Sequence, residues 1–211
     1  MKAPPLLVAN SVAATFPLAA AAIFQGLRRG PRAWILAWSA LLLVETVLQV
    51  HLARLNENNI WLNYIGDPAS AALALWALAW WQTDALAKLT LRLAAPATVA
   101  AYAVLAVAFD RASTFSRAAE PMANLVCLAA AAFTLVARSR VASGDLLRQD
   151  WFWVSAGLAL YTAALSTLGP ASSLLLHGNP DLFVRVYEVN NALQLVAMVM
   201  IARGVTCPAA S

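Results

Sequence analysis

Charge is scarce in this sequence. Of 211 residues only 11% are Asp, Glu, Lys or Arg, and 62% are hydrophobic, against roughly 25% charged in soluble globular proteins. Such a chain cannot cover itself with a polar surface in water, so it belongs in a bilayer. Lysine is rarer still, with only Lys2 and Lys88. No lysine falls in the last apolar segment, which excludes retinal held as a Schiff base, because that linkage needs an amine. No other cofactor is expected. Cysteine stops at Cys127, inside an apolar segment, and Cys207, in the C-terminal tail, so no disulfide framework is expected. Histidine stops at His51 and His177 without HxxxH or HExxH spacing. A His/carboxylate metal centre would have to use those two, and isolated histidines are usually interfacial, so no metal site is assigned. GxSxG, Walker-type and CxxC motifs are absent, and no nucleophile–base pair stands out, so an enzyme is not expected. The net charge of +4 is spread over basic residues in ones, twos and threes between apolar segments. There it sets topology rather than forming a face for nucleic acid.

What is present is apolar and segmented. Seven runs fall at about 6–25, 33–53, 68–83, 91–109, 120–137, 151–168 and 183–202, several near the ~20 residues a spanning helix needs. The expected fold is all-α, a single transmembrane domain over residues 1–211 built as a bundle of seven membrane helices. A signal peptide in place of the first helix is the main rival. Asn10 and Pro17 interrupt that run, which favours a retained helix. Nine basic residues (Arg28, Arg29, Arg32, Lys88, Arg92, Arg138, Arg140, Arg148 and Arg203) fall in one set of connections. Five (Lys2, Arg54, Arg111, Arg117 and Arg185) fall in the other. The positive-inside rule then gives an N-terminus outside and a C-terminus in the cytoplasm. Glu57, Asp67, Asp110, Glu120, Asp181 and Glu188 all lie on or near the outer side. The tail after Arg203 is too short for an effector domain, so signalling would need a separate protein partner in the membrane or at its cytoplasmic face.

Polar residues inside the spans each invite a reason, since a charge there costs about 2.5–3.5 kcal/mol on insertion scales. Glu45 lies near the middle of the second span, with Gln49 one turn on and on the same face. Two readings stay open: a proton relay or ligand contact, or a tie between helices. On the seventh span Tyr187, Glu188, Asn191 and Gln194 form a stripe about two turns deep, more polar residues than a single interhelical bond requires. Glu120 before Pro121 marks a helix start, and Asn124 extends its polar face inward. Arg117 and Arg185 are the expected counter-ions of the outer acids. Residues 56–68 (NENNIWLNYIGDP) form the second outer connection, where Asp67 before Pro68 reads as an N-cap and Asn58 and Asn59 have less local reason. Of the tryptophans, Trp34, Trp38, Trp61, Trp80, Trp81, Trp151 and Trp153 fall near span ends, where an interfacial belt is expected. Trp76 falls inside a span.

Three motifs occur in order: Asn58-Asn59-Ile60-Trp61-Leu62 (NN-x-W-L), residues 113–120 (S-x-x-S-R-x-x-E), and Phe152-Trp153 with Gly157 and Tyr161 (FW-x-x-x-G-x-x-x-Y). This pattern resembles an uncharacterised family of small bacterial multi-pass proteins. The resemblance covers most of the chain after the first helix. It implies the bundle fold, the outer placement of these residues and residence in the bacterial inner membrane, and it brings no activity. Gly66-Asp67-Pro68 departs from the family pattern, which is more hydrophobic there or carries Thr-Pro/Glu.

The functional expectation is therefore a receptor or small-ligand-binding protein with an outward-facing polar pocket. Its ligand residues would be Asn58, Asn59, Asp67, Glu120, Asn124, Tyr187, Glu188 and Asn191, converging on one cavity of a few hundred Å³. Glu45, Gln49 and Gln194 form an intramembrane polar set. Two alternatives are an accessory subunit of a larger membrane complex and a proton-coupled transporter built around Glu45.

Overall fold

The computed structural model describes residues 12–23, 30–110, 116–142, 144–178 and 180–207, with the backbone alone for 168–178 and 180. Among the described residues seven α-helices follow one another: α1 Phe16–Ile23, α2 Pro31–Arg54, α3 Asn63–Trp80, α4 Ala85–Phe109, α5 Ala119–Ser139, α6 Asp150–Gly178 and α7 Pro180–Thr206. No strand occurs among the described residues. Among those residues four helices are long and apolar enough to cross a membrane: α2, α4, α5 and α7 from Asp181.

Local chemistry sets the helix ends. Gly30, with φ +65°, hands over to Pro31 in the first turn of α2, where the missing N–H costs nothing. At the other end Asn56 takes φ +57°. Its amide bonds Ala53 O and that of Glu57 bonds Leu52 O. This is the Schellman closure, with Asn in the left-handed position. Asp84 caps α4, accepting from the Ala87 amide at 2.7 Å, so α4 begins six residues before the apolar run does. α3 begins at Asn63, not at Pro68, and Asp67 is not its cap. A turn of 3-10 helix at Ile60–Leu62 leads directly into it, and Pro68 is carried inside, leaving the Tyr64 carbonyl without that amide. α6 runs on to Gly178, well past the expected end.

α1 packs against α7 and α2, and α3 packs against α2, α4 and α5. The tightest seam joins α6 and α7. A Cβ on Gly157 would meet Ile201 Cγ1 at 2.6 Å and Ala197 O at 2.9 Å, and one on Gly204 would meet Val154 Cγ2 at 2.6 Å. Small residues let backbones approach in this way where lipid offers no hydrophobic drive. The expected aromatic belt is only partly present. Trp61 and Trp80 are well exposed, but Trp38 and Trp151 are fully buried and Trp81 nearly so. Trp38 is held there because its Nε1 donates to Ser70 Oγ at 2.8 Å and its ring meets Tyr161 edge-on at 5.2 Å. Exposed Val44, Val47, Leu48 and Val50 on α2, and Leu93, Val104 and Val107 on α4, are the kind of apolar surface that suits lipid.

Candidate polar site at the Asp67 end of the bundle

Three helices present the same spacing to one small cavity. α3 contributes Asp67, Ser70, Ala71 and Ala74; α5 contributes Glu120, Ala123, Asn124 and Cys127; α6 contributes Leu158, Tyr161, Thr162 and Leu165. Each set reads i, i+3, i+4, i+7, which is one face of a helix. Trp38 and Leu42 of α2 close the fourth side. The enclosed space is about 30 Å³, room for one or two water molecules. An organic ligand needs several hundred.

Glu45 stands beside this cavity. Its carboxyl lies against the backbone of Gly66, where any Cβ would collide with it. Glu45, Asp67 and Glu120 are near enough for their charges to act on one another. Hydrogen bonds tie Glu45 and Asp67 to the second connection and the start of α3. Asn59 Nδ2 donates to Gln49 O at 3.0 Å, and Gln49 Nε2 donates to Asn63 Oδ1 and, at 3.3 Å, to Glu45 Oε1. The buried Tyr102 hydroxyl lies 3.2 Å from Asp67 Oδ2 and 3.4 Å from Asn63 O. The neighbours of the acids are thus amides and phenols.

Arg117 and Arg185, expected as counter-ions, are both exposed. Among the described residues the ion pair formed is Arg32 with Asp150, elsewhere in the bundle. Arg117 instead contributes its backbone amide to Asp110. That carboxylate accepts from Ser116 Oγ at 2.6 Å and from the amides of Arg117, Ala118 and Ala119 at 2.7, 3.3 and 3.2 Å. Asp110 follows α4 and yet caps α5. Partial burial alone would raise its pKa, but these four bonds outweigh it and hold the carboxyl below its usual 3.8.

The other residues expected in the pocket lie apart from it. Asn58 is exposed, its Oδ1 accepting from the Ile60 amide within its own turn. No described side chain of α7 lines the cavity. Glu188 is exposed, Asn191 Nδ2 bonds Tyr187 O of its own helix at 2.8 Å, Tyr187 stacks on Phe183, and Gln194 is buried away from the acids' cavity. His51 is exposed and the His177 side chain lies outside the described residues. Among the described residues no group of three His, Cys, Asp or Glu side chains is arranged to hold a metal ion.

The opposite end has different chemistry. Trp80 lies thirteen residues along α3 from Asp67, about 20 Å at the helical rise. Here Arg32 Nε and Nη2 both donate to Asp150 Oδ2, at 3.1 and 3.0 Å, in a buried pair. Gln82 Nε2 donates to Thr134 Oγ1 at 2.8 Å. Arg92 sits over Trp76 and Trp80, Lys88 over Trp80, and Arg138 over Trp151.

Asn63, Ser70, Tyr102 and Thr162 also stand at or beside the acids and carry no signal of their own in the sequence. A lone tyrosine or hydroxyl in an apolar helix reads as core, and only the shared i, i+3, i+4, i+7 spacing with Asp67 and Glu120 would have singled out Ser70. Comparison with known protein families, curated proteins and solved structures finds no match.

Proposed function

We propose that this chain is a multi-pass membrane protein that responds to protons at the Glu45–Asp67–Glu120 cluster and acts through a separate partner. One observation carries the reading. Asp67 and Glu120 line a cavity of about 30 Å³ with Glu45 close by, and no described basic side chain is paired to any of the three. Like charges gathered in a poorly solvated site repel, and taking up a proton relieves that repulsion. The amides of Asn59, Gln49 and Asn63 make the flank of Glu45 polar on the side of the connecting loop. The cavity volume weighs against an organic ligand and for a proton exchanged with one or two waters.

A response is favoured over conduction because the polar face ends within the bundle. Between Ser70 and the Gln82–Thr134 bond, Leu75, Leu78 and Ala131 are fully buried, and a proton path needs polar groups or water along its length. The acids are placed at the outer face by the basic-residue count, so the compartment sensed is the external one.

The test is infrared difference spectroscopy of the full chain in nanodiscs as pH is stepped. Carboxylic acid C=O bands should appear and vanish with pH, and Asp67→Asn or Glu120→Gln should each delete part of that signal. No pH-dependent carboxylic acid band, or a band untouched by Glu45→Gln, Asp67→Asn and Glu120→Gln alike, sinks the proposal.

A further inference from the structure

We propose that the Trp80 end of the bundle binds the phosphate of an anionic phospholipid, through Lys88 and Arg92 of α4 set against Trp76 and Trp80 of α3. Lys88 and Arg92 are one turn apart, so they share a face. The Lys88 Nζ lies 5.0 Å from the Trp80 ring centre, and the Arg92 guanidinium carbon lies 5.4 Å from Trp76 and 5.6 Å from Trp80. Stacking on indoles fixes the two cations in place and leaves their charge unneutralised. The nearest acid on the same helix, Asp84, is occupied as its N-cap. No ion pair to either cation forms among the described residues.

The hydrogen-bond inventory at this end points the same way. Arg92 Nε, Arg138 Nε and Trp151 Nε1 are buried without a partner. All three are donors, and they belong to the indole-stacked cations and to the indole under Arg138. Arg92 as a whole is only half-buried, and its guanidinium carries further N–H donors that suit phosphate oxygens.

A lipid is favoured over a free anion by what flanks the cations. Leu86, Leu89 and Leu93 on α4 are 71%, 53% and 60% exposed, and Trp80 is 41% exposed. Cations held at an indole beside open apolar surface match a headgroup with acyl chains running along the helix.

Native mass spectrometry of the full chain released from mixed phosphatidylcholine–phosphatidylglycerol nanodiscs tests this. The wild type should retain phosphatidylglycerol, and Lys88→Gln with Arg92→Gln should lower retention by roughly fivefold for each residue changed. Arg140→Gln with Arg148→Gln removes the same charge from exposed positions at that end and should leave retention unchanged. Equal loss in both pairs means diffuse surface attraction, and loss in neither means no site; either result overturns the proposal. Displacement by excess inorganic phosphate would overturn the lipid assignment in favour of a free anion. Should the Lys88/Arg92 pair fail to fold, the wild type still decides. Brominated phosphatidylglycerol must quench its tryptophan emission more than brominated phosphatidylcholine, and equal quenching refutes the site.

Discussion

The two ends of the bundle treat charge in opposite ways. At the Trp80 end the buried Arg32 and Asp150 neutralise each other through two hydrogen bonds to one oxygen. At the Asp67 end three acids lie close together among amides and phenols, two of them lining a small cavity. A paired charge ties elements together, and removing one partner strands the other. Crowded like charges work against packing, and removing one relieves it. The first arrangement suits anchoring and the second suits a group that changes state.

That contrast can be broken by experiment. The largest effect is expected for Asp150→Ala, which strands the Arg32 guanidinium and should cost about 3–5 kcal/mol. Reversible unfolding in mixed micelles measures it, and a loss below about 1 kcal/mol would mean that the pair does not anchor α2 to α6. Gly204→Ala should cost about 1–3 kcal/mol, because its Cβ would press on Val154 Cγ2 and lie 3.0 Å from Val154 N and 3.1 Å from Asp150 O. The backbone atoms there cannot swing aside. Glu120→Gln should act in the other direction at neutral pH, raising stability by about 1 kcal/mol, the scale of one screened like-charge contact. A loss of similar size would show that Glu120 is a structural tie, and the contrast between the ends would fall.

The smallest effect is expected for Asp110→Ala, roughly 0.5–1 kcal/mol for a lost helix cap. Its pH dependence is the sharper readout. The folded state holds this carboxyl below its usual 3.8, so its contribution is fully present above the unfolded pKa and fades as pH falls through the lower folded value. Melting curves of wild type and Asp110→Ala should therefore converge in acid. A gap that persists well below pH 3.8 would indicate that neutral hydrogen bonds, and not the carboxylate, hold the start of α5.

Much of the helical outline was legible from hydropathy, because an apolar run bounded by charges permits few other structures. Boundaries failed where a cap outside the run decided them. Asp84 starts α4 within a stretch that reads as polar, and the 3-10 turn at Ile60–Leu62 absorbed the residues before Asp67 into α3. Within the site, Asp67, Glu120 and Asn124 meet at one cavity, a grouping the sequence suggested through their common depth. Depth says nothing of rotation about the helix axis. The described polar stripe of α7 does not reach that cavity, because packing against α6 and α1 sets which way it faces. The cap of α5 by Asp110 spans up to nine residues, too far for any local motif to announce.

The Glu45 carboxyl resting on Gly66 makes two distant positions one unit of variation. A side chain at residue 66 would displace the acid, and a shorter acid at residue 45 would leave the glycine without a tenant. Among relatives of this chain the two positions should change together, with a bulkier residue at 66 wherever the glutamate at 45 has been lost. Substitution data of that kind would report on the acid cluster without any assay of function.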